Sequence, residues 1–186
     1  WLIRQKALHS RRAPGNTCIS ALKTMSETTQ PARNNSKGCG GVMRMAPVGL
    51  FHWRLKHHSV DETFQLGTEL AALTHGHPTG ALPGGVLAVL LRELADGALL
   101  SEALASAKAL LGQAREHHET LCAIELAEEL SKSNLPHADA ITRIGQGWIA
   151  EEALAISIYC SLVASSFRDG IIMAVNHDGD SDSTGS

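Results

Sequence analysis

The stretch from Ala81 to Leu91 most constrains the fold. It is apolar on every side, and Arg92 is the first charge after it. A helix that is apolar all round belongs in the middle of a domain, so its neighbours must wrap it. Those neighbours carry helical periodicity. Phe64, Leu66, Leu70 and Leu73 follow Asp61, which is expected to open a helix that ends before Gly76 and Pro78. Ser101 to Arg115, with Ser101 as its cap, and Glu119 to Lys132 are amphipathic. Glu151 to Ser165 begins with the acidic residues that the helix dipole favours, and Phe167 to Val175 forms a short last helix. No sustained period-two alternation and no internal repeat occurs, so the expected class is all-α.

The rest of the chain is less regular. Trp1 to His9 reads as the tail of a helix, followed by a turn at Pro14-Gly15 and a short helix to Met25 capped by Asn16 or Thr17. Residues 26–38 are a polar loop of about a dozen residues, near the length at which ordered loops carry function. Residues 39–51 read as a helix that Pro47 kinks or restarts, and 134–146 as a loop with one helical turn. Both ends read as cuts within a longer protein.

Composition narrows the partners. The 186 residues are 44% apolar but only 4% aromatic, with Ala and Leu dominant, which favours helix. Sixteen basic and nineteen acidic residues leave a net charge of -3, with no general attraction to nucleic acid or anionic membrane. No apolar run is long enough to span a bilayer. Cys18, Cys39, Cys122 and Cys160 form no CxxC pair, so a closed zinc site is not expected. Free thiols in a cytoplasmic protein are the simplest reading.

Four segments carry chemistry. Asn176-His177-Asp178-Gly179-Asp180-Ser181-Asp182-Ser183-Thr184-Gly185 sets three carboxylates at a spacing of two, with no cation nearby in sequence. A divalent ion would relieve their repulsion, and carboxylate and hydroxyl oxygens suit Mg²⁺. An acidic surface loop is the competing reading; an EF-hand is not, since its Gly and distal Glu are misplaced. Asn34-Asn35-Ser36-Lys37-Gly38-Cys39-Gly40-Gly41 leads into Val42-Met43-Arg44. It is either a phosphate-cradling loop or a structural Gly-rich turn, and it is no Walker motif. Thr74-His75-Gly76-His77-Pro78 offers two histidines to a metal or ligand, or merely caps a helix. Gly145-Gln146-Gly147-Trp148 presents an aromatic ring either to a flat ligand or to the core. His57-His58 and His117-His118 look like solvated faces.

In this order the four segments resemble the ADP-ribosylglycohydrolase family, over nearly the whole chain. The resemblance implies a compact multi-helix fold over residues 1–186, here lacking its N-terminal helices. It implies hydrolysis of the bond between ADP-ribose and a protein or small acceptor at a centre of two Mg²⁺ ions, with Mn²⁺ as an alternative. Acceptors in the family include arginine, serine and nucleic acid. By resemblance Asp180, Asp182 and Ser183 are metal ligands, with Asp180 and Asp182 at the catalytic centre, and Asp178 is not a ligand. Asn34, Asn35, Ser36, Lys37, Gly38, Cys39 and Gly40 hold the diphosphate and distal ribose. His75 contacts the ligand and Trp148 lies against adenosine. The family's Thr-Asp-Asp motif is absent here, and Asp61-Glu62 does not replace it. The expectation is therefore half of a metal site, in an enzyme or in a non-catalytic ADP-ribose-binding relative.

Overall fold

The computed structural model describes residues 14–186 apart from position 32. The helix expected over Trp1 to His9 lies outside the described residues. The rest is all-α: ten helices and one 3₁₀ turn, with no strand among the described residues. The helices are α1 (Asn16–Thr28), α2 (Ala46–Leu55), α3 (Val60–Ala72), α4 (Pro78–Ala95), α5 (Leu100–Leu111), α6 (His118–Leu130), α7 (His137–Ile144), α8 (Ala150–Val163), α9 (Phe167–Val175) and α10 (Ser181–Thr184).

Helix α4 is the hub. Val86, Ala88 and Val89 are fully enclosed, and α2, α3, α5, α6 and α8 all pack on it. Its N-terminus forms because Pro78 tolerates the first turn, where its missing N–H is not needed, while His77 Nδ1 accepts from the Thr79 amide at 3.0 Å. Two neighbours press closely. A Cβ on Gly67 of α3 would stand 2.7 Å from the Gly84 carbonyl oxygen of α4, so only glycine lets these backbones meet. On the other side, Leu104, Leu111, Ile124, Leu154, Ile156 and Tyr159 close the main core around α5, α6 and α8.

Local sequence explains where helices begin, and it corrects three expected caps: Gly15, not Asn16 or Thr17, precedes α1, and no side chain caps it. The cap of α3 is Ser59, not Asp61: Ser59 Oγ accepts from the Glu62 amide at 3.0 Å and Glu62 returns the bond to the Ser59 amide at 2.6 Å. Asp61 and Glu62 sit instead in the first turn, where the dipole favours them. Ser101 does not cap α5; it lies in the first turn, and Glu102 accepts from the Leu99 amide at 2.9 Å. Pro47 starts α2 rather than kinking it. The preceding residues form the 3₁₀ turn Val42–Arg44, because Met45 closes back on the Val42 carbonyl at 3.0 Å. Helix α1 runs to Thr28, and the expected single turn within 134–146 is the eight-residue α7. Phe167–Val175 has the bounds expected from sequence.

Candidate functional site

The four chemistry-bearing segments meet at one end of α8. The glycine loop is held from three sides. Asn34 accepts from the amides of Ser36 and Gly76, each at 3.0 Å, and its Nδ2 donates to the Thr74 carbonyl at 2.9 Å. The Ala150 amide donates to the Lys37 carbonyl at 2.8 Å, and the Cys39 amide to the Trp148 carbonyl at 3.2 Å. A single antiparallel bridge, Gly38 to Ile149, thus joins the loop to the Trp148 segment. Ser36 Oγ accepts from the Gly38 amide at 3.2 Å. The amides of Ser36, Gly38 and Cys39 are therefore spent inside the fold. Among the described residues no hydrogen bond takes up those of Asn34, Asn35, Lys37, Gly40 and Gly41, which leaves these as the loop amides open to a phosphate.

The acidic segment docks on this loop. Asp180 is 9% exposed; its Oδ2 accepts from Cys39 Sγ at 2.7 Å and from Ser183 Oγ at 2.8 Å. Its amide donates to the Gln146 carbonyl at 2.7 Å, pressing Gly179 onto the Trp148 loop. That loop turns at Gly147, where φ is +79°, and Glu152 Oε2 ties it by accepting from the Gln146 and Gly147 amides at 3.0 and 3.1 Å. Thr184 and His177 complete the support: Thr184 Oγ1 donates to the Ala174 carbonyl and meets His177 Nε2 at 2.8 Å. Asp178 and Asp182 are exposed.

The charges divide unequally. Burial pushes the Asp180 carboxyl up, but hydrogen bonds from Asp182, Cys39 and Ser183 outweigh it and hold the group below its ordinary value. The Asp182 carboxyl is raised by its hydrogen bond to Asp180, then by desolvation and by the Asp180 charge. Such a pair is relieved by a cation, and two carboxylates with a hydroxyl suit Mg²⁺ in donor type. Among the described residues, however, no group of three or more His, Cys, Asp or Glu side chains is arranged to hold a metal ion. The donor set fits part of a Mg²⁺ shell.

The remaining sites expected from sequence lie around the same loop. Lys37 Nζ pairs with Glu119 Oε2 at 2.5 Å, which also accepts from Thr79 Oγ1 at 2.6 Å. Asn35 is exposed, and so is the Trp148 ring, at 59%. His75 is 2% exposed, its ring pressed beneath Gly38 and Gly40. Burial, and then the Arg44 charge, lowers its pKa to about 4, so it is neutral at pH 7. His77 caps α4 instead of facing a ligand. An apolar groove of about 580 Å³, with Leu87, Leu154, Phe167 and Ile171 in its walls, reaches Met43 and Ser183 from behind. Sequence reasoning missed Arg44, Glu119 and Glu152. Arg44, at the end of the glycine segment, and Glu152, just after the Trp148 segment, stood in or beside the quoted motifs without a role assigned to them, and Glu119 stood outside them.

Comparison with known proteins bears on the family. The profile of the ADP-ribosylglycohydrolase family matches residues 1–186. The chain is 28% identical over 157 residues to a protein of Archaeoglobus fulgidus described as uncharacterized, covering 80% of this chain and 46% of that one. The chain thus spans about half the length of this curated relative. No solved structure matches. No helix of the described residues is long and apolar enough to cross a membrane. With four ordered segments converging at one place and a family profile covering the full length, the chain belongs to the ADP-ribosylglycohydrolase family.

Proposed function

We propose that this chain forms the C-terminal portion of a hydrolase that cleaves the glycosidic bond between ADP-ribose and a protein side chain or small acceptor. The observation that carries this reading is the hydrogen bond from Cys39 to Asp180, which brings the acidic segment onto the glycine loop. Asp180, Asp182 and Ser183 would hold Mg²⁺, or Mn²⁺, as their share of a centre of two ions. Bound there, such an ion would orient ribose hydroxyls and acidify a water. The chain's own residues hold the substrate. Asn34, Asn35, Ser36, Lys37, Gly38, Cys39 and Gly40 line the diphosphate and distal ribose, with the Lys37 and Gly40 amides as donors. Trp148 offers an exposed face to adenosine. Binding energy gathered at these remote groups positions the ribose for attack, and the transition state resembles an oxocarbenium ion. The four free thiols fit a reducing, cytoplasmic setting.

A second reading is an ADP-ribose-binding relative without hydrolysis. It is favoured by the lack, among the described residues, of a three-ligand group. Calorimetry with ADP-ribose, with and without Mg²⁺, combined with a release assay on ADP-ribosylated arginine and serine, separates the two. In a longer version that carries the Thr-Asp-Asp segment, the enzyme reading expects Mg²⁺-dependent release that Asp182→Asn abolishes while ADP-ribose binding stays measurable. Wild-type release by Asp182→Asn refutes the metal assignment. Binding without release in any metal supports the second reading.

A further inference from the structure

Arg44 sits half-buried behind the glycine loop, with its guanidinium turned toward the end of α3. It donates to the Gly40 carbonyl, to the Leu70 carbonyl at 2.9 Å and to Thr74 Oγ1 at 2.7 Å. Thr74 Oγ1 in turn lies 2.8 Å from His75 Nδ1. Arginine can only donate, so the Thr74 oxygen accepts from it and keeps its own proton to give. Two acceptors are in reach. One is the Ala71 carbonyl, at 3.5 Å. That oxygen already receives the Thr74 amide at 3.2 Å and the His75 amide at 3.1 Å, which fill its two lone pairs. The other is His75 Nδ1. The Thr74 proton therefore goes to Nδ1, and a neutral imidazole then carries its own proton on Nε2.

Nε2 has no partner among the hydrogen bonds of the described residues. It faces the bend of the loop: a Cβ on Gly38 would stand 3.2 Å from it, and one on Gly40 3.4 Å. Two glycines are thus what keeps side chains off this donor. We infer that Arg44 and Thr74 are positioning residues that lock His75 in the Nε2–H tautomer, leaving that N–H as a donor to an acceptor oxygen of the ligand at the Gly38–Gly40 bend. Naming that oxygen as a diphosphate oxygen rests on the ADP-ribose reading; the relay itself does not. Burial keeps the ring neutral, so the interaction is a hydrogen bond and not an ion pair.

Ring-nitrogen NMR correlations of ¹⁵N-histidine-labelled protein at pH 7 test this, with His75→Gln assigning the signal. The wild type is expected to show neutral His75 with the proton on Nε2. Thr74→Ser should keep that pattern, whereas in Thr74→Val and Arg44→Gln the Nδ1–H form should become comparable in population. ADP-ribose should shift the Nε2 signal, and its affinity should fall about tenfold in Thr74→Val but stay near wild type in Thr74→Ser. A wild-type His75 protonated on Nδ1, or charged, overturns the relay even if Thr74→Val fails to fold. Calorimetric binding of ADP-ribose that leaves the His75 signal unmoved overturns the donor role. If ADP-ribose does not bind at all, the functional reading fails, while an Nε2–H wild type that loses this form in Thr74→Val still supports the relay.

Discussion

Cys39 Sγ lies 2.7 Å from Asp180 Oδ2, joining positions 141 residues apart in the chain. The thiol donates, so the contact favours the protonated sulfur and the ionised carboxylate together. Burial and then this bond push the Cys39 thiol up to about 11. Ser183 Oγ sits against the same pair, and Met43 Sδ lies 3.5 Å from that hydroxyl. The glycine loop and the acidic segment are thereby one unit: a shift in Asp180 must move Cys39.

The first prediction is that Cys39 is chemically quiet. Raised from 9.0 to about 11, it carries roughly a hundredth of the ordinary thiolate fraction at pH 8. Alkylation by iodoacetamide, followed by mass spectrometry of peptides, should modify the exposed Cys122 first and leave Cys39 largely unreacted. Asp180→Asn removes the charge that holds the proton on sulfur, and should speed modification of Cys39. Equal rates at Cys39 and Cys122 in the wild type would contradict the geometry.

Magnesium should stabilise the protein in a pH-dependent way. Asp182 is raised by its bond to Asp180, and a metal needs both groups ionised. The rise in Tm on adding Mg²⁺ should therefore grow as pH increases through and above the ordinary carboxylate range. At a metal concentration a hundred times Kd the gain is about 2.7 kcal/mol. Differential scanning calorimetry at pH 4.5 and pH 7 checks this. Asp182→Asn should lose the increment at both.

Two glycines at the loop's edge should tolerate no side chain. A Cβ on Gly76 would fall on the Asn34 carbonyl, and one on Gly80 on the Ser36 carbonyl, both of them backbone atoms that cannot rotate away. Gly76→Ala and Gly80→Ala should each cost about 1–3 kcal/mol. The same substitution at Gly15 or Gly112, where there is open space or no close contact, should cost little by comparison. Urea denaturation midpoints at constant m-value decide the matter.

The all-α class, the central place of α4 and the bounds of α9 were legible because they depend on periodicity and composition, which are local. The four chemical segments were legible as residue types, and their order along the chain carried the family. What was not legible depends on approach between distant segments. Nothing near Cys39 in sequence says that it meets Asp180, or that Glu119 takes up Lys37. Three loop amides that looked available for phosphate are consumed by Asn34, Ser36 and Trp148, partners set by tertiary packing. The cap of α3 was misplaced by two residues because Asp61 and Ser59 are both good caps, and only the reciprocal bond to Glu62 decides between them.

Glu151 provides the last prediction. It stands in the first turn of α8, 7% exposed, and its Oε2 has no hydrogen-bond partner. Desolvation raises its carboxyl from 4.5 to about 6, against a smaller pull from Lys37. A folded-state value above the unfolded one means that folding favours the protonated acid. Stability from this group is thus full below pH 4.5, declines as pH rises to about 6, and stays low above it. The difference is about 2 kcal/mol. Glu151→Gln removes the ionisation, so its stability should lack this decline and should exceed the wild type at pH 8 but not at pH 4.5. Urea unfolding of both proteins across that range measures the slope directly. A wild-type protein that gains stability between pH 4.5 and 6.5 through a step that Glu151→Gln removes would show the opposite sign, with Glu151 ionised and satisfied by a donor at the Lys37 face.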